Sequence, residues 1–364
     1  MAVHESKEKT KDGRKWFFKA YYTDLSGNQK QFKSKKFITK KQAQDEERLF
    51  FINIKGIINK NMTFEELYND FHYFQEQRIK ITTLVGYEKS WRQLQSLANV
   101  KLNDFTVNHY NKWKMDIHKK KCTTGYKNSL YKFLKTLLNY AIKYHNFNFA
   151  DTIFKMEGFT NPNELKKEML FFDYEEFKKF IAVELDITYK TFFKMLYYCG
   201  LRLGEAKALT WKDIDFENKQ VTINKNLISK IKGQRYIIST PKTKSSIRTL
   251  PIPKNLLNEL KILYQYSKSF YKFNDKYFVF GGAFPLADTT IKVRKNKNCK
   301  LAKVKQIRVH DFRHSCASLL INNNANIVLV AKYLGHSKID MTLNIYSHLY
   351  KNQMSDIVLL IDQM

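Results

Sequence analysis

The segment RVHDFRHSCASLL, residues 308–320, brings two arginines and two histidines together where an apolar helix begins. Val309, Phe312, Cys316 and either Leu319 or Leu320 recur with the period of an α-helix, which predicts a helix that packs by one face. The polar side chains at its start are Arg308, His310, Arg313 and His314. The segment therefore predicts a buried helix with a strongly basic beginning.

Such a helix start is suited to an anion. His310 and Arg313 are three residues apart and hence neighbours on one helix face. Both donate hydrogen bonds, and the planar fork of arginine fits the oxygens of a phosphate. The free N–H groups of a first helical turn also favour negative charge. Alone, the H-x-x-R spacing fits a solvated helix end equally well.

A second stretch, YYCGLRLGEAKALTW at 197–211, predicts a helix that ends at Gly200 and another that begins near Gly204. Arg202 lies in the tight turn between them, so two helices fix its position. Glu205 is close enough in sequence to hold the guanidinium group. The alternative interpretation is an ordinary salt bridge at a helix end.

Two more stretches carry candidate residues. STPKTKSSIRTLPIP, residues 239–253, predicts a β-turn with Lys242 and Lys244 near its tip, between the strands QRYIIST and SIRTLPIP. KYLGHSKIDMTLNIYSHL, residues 332–349, has a helix stop at Gly335–His336, and Tyr346 follows ten residues after His336. Taken singly, each pattern also fits a solvent-exposed lysine or a buried tyrosine.

The overall charge indicates a polyanionic partner. The 364 residues include 64 Lys and Arg against 34 Asp and Glu, a formal net charge of +30. A folded chain this basic favours nucleic acid, because phosphate contacts release counterions. An anionic membrane surface and a lysine-rich cytoplasmic proteome are the weaker alternatives.

The other global features predict a cytoplasmic protein. The four cysteines are not arranged in pairs, which is typical of free thiols in a reducing compartment. The first residues lack the apolar core of a signal peptide, and no stretch is apolar enough to cross a membrane. The histidines and cysteines are too scattered for a metal cluster, so we expect no metal and no cofactor.

Changes in pattern predict three domains, at residues 1–60, 62–154 and 169–364. The first begins with aromatic-rich strands around the turn DLSGNQ and continues with a helix that ends at Gly56. The second is all-helical and starts with a capping box, Thr63 and Glu66. The third contains helices and a β-region, and its basic run 291–308 is predicted to be a solvated loop.

In order and spacing, the motifs resemble those of the tyrosine recombinases, the phage-type integrase family. The matching stretches are GLRLGEAKALTW, TPKTKSSIRTLPI, HDFRHSCASLL and LGHSKIDMTLNIYSH. The resemblance extends over the whole chain. The chain is most similar to integrases of mobile elements and phages of Gram-positive bacteria. It implies a mainly α fold with small β-sheets. An N-terminal three-stranded β-sheet plus helix would bind arm sites, an all-α (SAM-like) domain would bind core sites, and a mixed α/β domain would be catalytic.

The resemblance also implies a role for each candidate residue. Tyr346 would attack a DNA phosphodiester to form a 3′-phosphotyrosyl bond, without metal or ATP. Arg202 and Arg313 would clamp the non-bridging oxygens, and Lys242 rather than Lys244 would be the general acid. His310 would be a base or an orienting group and His336 a phosphate donor, with Glu205 supporting them from behind. His314 and His348 are expected to be structural, and Arg308 to flank the site or contact the DNA backbone.

Family behaviour implies the partners. These are double-stranded DNA with core and arm attachment sites, and four protomers whose C-terminal tail, SDIVLLIDQM, docks on a neighbouring protomer. An excisionase or a host DNA-bending protein is a possible further partner, and no membrane contact is expected. Two alternatives stay open: a type IB topoisomerase-like enzyme that relaxes DNA, and a DNA-binding regulator without catalytic activity.

Overall fold

The computed structural model describes residues 3–6, 8, 10, 12–23, 29–54, 62–164, 169–231, 233–241, 243–337, 339, 343 and 361–362. Several predicted features lie outside these residues: Lys242, Tyr346, His348 and all of the C-terminal tail except Ile361 and Asp362. The chain divides into two compact units, Met1–Lys166 and Lys167–Met364.

The first unit begins with a small antiparallel sheet. Its strands are β1 (Val3–Glu5), β2 (Trp16–Thr23) and β3 (Gln29–Lys33), in the order β1-β2-β3 among the described residues. Helix α1 (Lys40–Ile54) follows and packs against β2. The predicted three-stranded sheet plus helix is confirmed, although strand β1 was not visible in the sequence pattern.

Helices make up the rest of the first unit. They are α2 (Phe64–Glu76), α3 (Ile81–Trp91), α4 (Val107–His118), α5 (Thr124–His145) and the short α6 (Ala150–Lys155). The predicted capping box is present, because Thr63 Oγ1 accepts from the Glu66 N–H while the Glu66 carboxylate accepts from the Thr63 N–H. The apolar face of α5 forms the centre of an aromatic-rich core.

Helix α1 is attached to these helices by a polar network. Arg48 Nη2 donates to Asp70 Oδ1 and to the Tyr140 hydroxyl, both at 2.6 Å. Its guanidinium also lies over the Phe74 ring, 4.3 Å from the centroid. His145 Nε2 lies 2.9 Å from the second Asp70 oxygen. One carboxylate thus joins α1, α2 and α5.

The second unit is also mainly helical. Its helices are α7 (Tyr174–Ala182), α8 (Ile187–Tyr198), α9 (Leu203–Ala208), α10 (Lys254–Lys268), α11 (Asp288–Leu301), α12 (Asp311–Asn322) and α13 (Ile327–Leu334). Phe312 at the start of α12 is fully buried among Phe172, Phe177, Phe180 and Phe193. This aromatic core fixes the basic beginning of α12 against the neighbouring helices. Among the described residues of the chain, none of the helices combines the length and the apolar character that crossing a bilayer requires.

Two small sheets lie in the same unit. One contains β4 (Ile214–Asp215), β5 (Gln220–Ile223) and β8 (Arg248–Pro251), and the other pairs β6 (Asn226–Ile231) with β7 (Gln234–Ser239). The predicted hairpin between the strands QRYIIST and SIRTLPIP is therefore wrong. The first is β7, which forms its hairpin with β6, and the second is β8, which pairs with β5.

The physical reason lies in the core. Leu250 of β8 lies opposite Val221 of β5, and both side chains are buried. Pairing with β5 thus places Leu250 beside Val221 in the core, whereas a local hairpin with β7 would not bring these two side chains together. Strands β7 and β8 consequently belong to two different sheets, and a 3₁₀ turn at Lys244–Ser246 precedes β8.

The basic run predicted as a loop is also wrong over most of its length, because α11 includes residues 291–301. Ile291, Lys295, Asn298 and Cys299 lie on its buried face. Lys295 Nζ donates to the Ile307 carbonyl, and Asn298 Nδ2 donates to Glu184 Oε2 at 2.8 Å. Because two of these buried positions are polar, hydrophobic periodicity did not reveal the helix.

Candidate active site

Arg313 lies at the centre of the candidate site. It is in the first turn of α12, its side chain is buried, and its Nη1 donates to the Gly200 carbonyl at 2.7 Å. Its Nη2 has no hydrogen-bond partner among the described residues. Burial, together with the charge of Arg202, lowers the pKa of Arg313 to about 9. A buried cation with a free donor is unfavourable unless an anion binds.

Arg202 is fixed by Glu205, as the sequence predicted. Arg202 caps the start of α9, and its backbone N–H donates to Glu205 Oε2 at 3.0 Å. Its Nη1 donates to Glu205 Oε1 at 2.7 Å, while a third of the side chain stays exposed. The carboxylate holds the guanidinium from its buried side, so the other side is available to a ligand.

The turn before α9 has a steric requirement. Gly200 has a φ of +58°, and a Cβ there would lie 2.4 Å from Leu334 Cδ2 and 3.1 Å from Cys316 Sγ. Only glycine fits this left-handed, crowded position without backbone strain and without displacing the side chains of Leu334 and Cys316. The Gly200 carbonyl, which accepts from Arg313, is thereby held in place.

His310 directly precedes α12, and its ring lies next to His314. The ring centroids are 5.2 Å apart and nearly perpendicular. His310 is exposed. Desolvation by neighbouring atoms, followed by the charges of Arg313 and Arg202, lowers the pKa of His310. A lowered pKa favours the neutral imidazole, the form that is able to accept a proton.

His336 follows the C-cap of α13. Gly335 ends the helix, as predicted, and adopts the left-handed conformation. Burial first, and then the charges of Arg313 and Arg202, lower the pKa of His336 to about 4. Arg202 Nη2 also reaches the Gly335 carbonyl at 3.5 Å. The GLR and LGH stretches, more than a hundred residues apart, therefore meet around the same two arginines.

Arg308 lies at the edge of the site. It forms a paired contact with Asp311, in which Nη2 lies 2.7 Å from Oδ1. Three quarters of its side chain is exposed, so it flanks the site rather than entering it. Its backbone N–H also donates to Asp311 Oδ2, which stabilises the turn before α12.

Arg248 was not recognised from the sequence as part of this site. Its Nη2 donates to Glu205 Oε2 at 3.0 Å, and 7% of its side chain is exposed. Three guanidinium groups, those of Arg202, Arg248 and Arg313, thus cluster around one carboxylate among the described residues. The signal in the sequence was an arginine in a short strand, which by itself predicts nothing.

The arrangement is suited to binding a tetrahedral anion. Positive charge exceeds negative charge, a buried N–H donor of Arg313 has no acceptor among the described residues, and two imidazoles with lowered pKa, those of His310 and His336, lie beside it. A phosphate diester supplies both the charge and the acceptor oxygens. Within the described residues, no three His, Cys, Asp or Glu side chains form a group able to hold a metal ion.

Comparison with known protein structures identifies the fold. The Tn1549 transposon integrase, in complex with a circular intermediate DNA, superimposes with a TM-score of 0.63 at 23% identity, over 78% of this chain and 95% of that chain. A λ integrase dimer bound to a core site gives a TM-score of 0.58 at 14% identity, over 78% of this chain and 95% of that chain.

Curated sequences give closer relatives. The ICEBs1 integrase of Bacillus subtilis (strain 168) is 33% identical over 207 residues, which are 52% of this chain and 54% of that protein. The chain therefore matches only about half the length of this relative. A XerC-like tyrosine recombinase of Caldanaerobacter subterraneus is 28% identical over 88% of both chains.

A family profile gives the same result. The profile described as the phage integrase family matches residues 167–353, about half of the chain. This range contains each of the four stretches whose residues meet in the pocket or flank it. The chain belongs to the phage integrase family, the tyrosine recombinases that cleave and rejoin DNA in site-specific recombination.

Proposed function

We propose that this chain recombines the attachment sites of a mobile element through a 3′-phosphotyrosyl bond on Tyr346. The observation that carries the proposal is the buried Arg313, whose Nη2 lacks an acceptor among the described residues while Arg202 and Arg248 lie close by. A scissile phosphate provides the missing acceptor and offsets the excess positive charge. The pocket is then complete only when DNA is bound.

The chemistry follows from the residue types. The phenolic oxygen of Tyr346 attacks the phosphorus, a Tyr–phosphate bond forms, and the bond to the 5′-oxygen breaks. Lys242 gives its proton to the leaving 5′-oxygen, while His310 accepts the phenolic proton. Arg202 and Arg313 stabilise the charge on the non-bridging oxygens in the transition state.

The second step reverses the first. The 5′-hydroxyl of a neighbouring strand attacks the phosphotyrosyl bond, reseals the backbone and releases Tyr346. The number of phosphodiester bonds is conserved, so the reaction needs no ATP. Two such exchanges, through a four-way junction, recombine two duplexes.

The histidines have distinct proposed roles. The lowered pKa of His310 favours its neutral ring, the form that a proton acceptor requires. His336, also neutral, donates an N–H to the phosphate without adding another charge to a crowded cationic pocket. Glu205 supports Arg202 from behind and does not touch the phosphate.

The proposed partners follow from charge and family. Double-stranded DNA is the partner that a formal net charge of +30 favours, with residues 1–60 on arm sites, 62–154 on core sites and 169–364 as the catalytic domain. Four protomers assemble on two sites, and the tail at 355–364 docks on a neighbour. An excisionase or a DNA-bending protein sets the direction. The reaction takes place on chromosomal DNA, in the cytoplasm.

The experiment traps the covalent intermediate. Nicked suicide duplexes, selected for binding from a library by the purified protein, are incubated with the full chain. Mass spectrometry is then expected to find the DNA fragment on Tyr346. Tyr346→Phe is expected to bind DNA normally and form no adduct, whereas Tyr350→Phe is the matched control that retains it.

Other outcomes decide against the proposal. An adduct on a different residue excludes Tyr346 as the nucleophile. No adduct together with tight DNA binding favours the regulator without catalytic activity. Relaxation of a supercoiled plasmid that has no attachment site, without exchange between two sites, favours the topoisomerase-like alternative.

A further inference from the structure

Arg248 makes three directional contacts, one to the turn just before its own strand and two to distant segments. Its Nε donates to the Tyr333 carbonyl at 2.9 Å, its Nη1 to the Ser246 carbonyl at 3.0 Å, and its Nη2 to Glu205 Oε2 at 3.0 Å. With 7% of its side chain exposed, it lies behind the site rather than in its opening. Each nitrogen of the guanidinium group is therefore used once.

Each acceptor belongs to a segment with a proposed catalytic residue. Glu205 holds Arg202 through two hydrogen bonds, at 2.7 and 3.0 Å. Tyr333 is in the last turn of α13, three residues before His336. Ser246 ends the turn that follows Lys242 in the chain. Arg248 thus joins three of the four stretches that the recombination chemistry requires.

The packing at Gly335 shows how closely these segments approach. A Cβ there would lie 3.0 Å from the Ser245 carbonyl oxygen and 3.1 Å from Arg248 Nη1. The end of α13 therefore lies against the turn before β8, with the Arg248 side chain beside the point of contact. A displacement of the guanidinium would shift both segments.

Arg248 also determines the charge state of Glu205. Burial by itself raises the pKa of this carboxyl. The charge and hydrogen bond of Arg248, followed by those of Arg202, outweigh burial and hold the pKa below its usual range. Glu205 remains ionised, but its charge is shared between two arginines, so it does not fully neutralise Arg202.

We propose that Arg248 is a positioning residue for strand cleavage: it does not touch the phosphate but fixes Arg202, His336 and the turn at Lys244–Ser246 relative to one another. This inference rests on the proposed function of the pocket. Lysine cannot replace Arg248, because one ammonium group does not reach three acceptors in different directions.

The test measures cleavage and binding separately. The rate of adduct formation is determined in a single turnover at saturating suicide duplex, and the Kd for the same DNA is measured independently. For Arg248→Gln and Arg248→Lys we expect a rate about 100-fold lower, the size of effect that a small misplacement of catalytic groups produces. The Kd is expected to change by less than about threefold, because Arg248 does not face the DNA.

A matched control separates positioning from stability. Arg294 forms an ion pair with Glu184, a carboxylate about as buried as Glu205, although 36% of the Arg294 side chain is exposed. Arg294→Gln is expected to lower the Tm and to cleave at the wild-type rate. If Arg294→Gln and Arg248→Gln slow cleavage equally, the effect of Arg248 is one of stability and the proposal is overturned.

A double-mutant cycle tests the route through Glu205. If Arg248 acts partly through this carboxylate, Glu205→Gln and Arg248→Gln together lower the rate by less than the product of their separate effects. Purely multiplicative effects contradict that route. If Arg248→Gln does not fold, Arg248→Lys decides, since a wild-type rate in that variant overturns the proposal.

The outcomes distinguish this inference from the proposed function. If the wild-type chain forms no adduct on Tyr346, the proposed function fails. If the wild-type chain forms the adduct and the Arg248 variants form it equally fast, only the role of Arg248 fails.

Discussion

At the scale of single residues, the buried charge of Arg313 is expected to lower the stability of the free protein, although cleavage requires it. Without an anion, its guanidinium is desolvated beside two other arginines, and its Nη2 lacks an acceptor among the described residues. Sites arranged for a charged ligand are often unfavourable while they are empty. The pocket is therefore expected to be a strained part of the free protein.

Arg313→Gln is expected to stabilise the free protein while it abolishes cleavage. Removing the uncompensated charge is worth on the order of 1 kcal/mol, which corresponds to a Tm increase of about 2–4 °C for a unit of this size. The rate of adduct formation is expected to fall at least about 100-fold, because the non-bridging oxygens lose the guanidinium that stabilises their charge in the transition state. Calorimetry with and without inorganic phosphate checks this: phosphate raises the Tm of the wild type but not of the variant. A lower Tm for Arg313→Gln would contradict it.

The histidines of the pocket predict a pH dependence of stability. Burial, with nearby positive groups, lowers the pKa of His314 and His336 to about 4, whereas an unfolded chain titrates near 6.5. Between these values the unfolded chain binds more protons. The free energy of unfolding is therefore highest above about pH 6.5 and falls as the pH drops towards 4, by at most about 1.4 kcal/mol per pH unit for each histidine.

Thermal unfolding at pH 7.5, 6 and 5 checks this dependence. His314→Gln is expected to show a smaller decrease in Tm on acidification than the wild type. Identical curves for His314→Gln and the wild type would rule out a contribution from His314.

At the scale of elements, the end of α13 determines where His336 lies. Gly335 combines a φ of +70° with a contact in which an added Cβ would be 3.0 Å from the Ser245 carbonyl oxygen. Both features exclude a larger side chain without backbone movement. The turn at Gly335 therefore sets the position of His336 in the pocket.

Gly335→Ala is expected to lower the free energy of unfolding by about 1–2 kcal/mol and to slow cleavage, because left-handed backbone is unfavourable for alanine and His336 is displaced. Gly86→Ala in α3 is the matched control. Nothing lies within 4 Å of its added Cβ, so the substitution is expected to stabilise the chain by about 0.5–1 kcal/mol through helix propensity. Urea unfolding of both variants measures the two changes in the free energy of unfolding. Equal effects would show that the geometry at Gly335 is unimportant.

At the scale of the whole molecule, the net charge of +30 dominates DNA affinity. If six to ten phosphates are contacted, the affinity is expected to fall roughly 1,000-fold to 100,000-fold between 50 and 200 mM salt, because counterions released on binding must be restored. Fluorescence anisotropy with a labelled duplex over this range measures the slope of log K against log salt. A slope near zero would show that phosphate contacts contribute little to binding.

The sequence alone determined the features that depend on neighbouring residues. The capping box at Thr63, the helix stop at Gly335, the turn with Arg202 and the apolar face of α12 each require only a few consecutive side chains. The resemblance of the motifs to the family named Arg202, Glu205, His310, Arg313 and His336 as candidates before their surroundings were known. The catalytic roles of these residues remain predictions, as do those of Lys242 and Tyr346, which lie outside the described residues.

Only the tertiary structure decided which distant segments meet. Strand β8 pairs with β5 rather than β7 because Leu250 and Val221 share a core, and α11 is a helix although buried Lys295 and Asn298 hide its periodicity. Arg248 became part of the site through acceptors at Glu205 and Tyr333, 43 and 85 residues away. Burial and electrostatic coupling depend on distances in space, which no local pattern of side chains specifies.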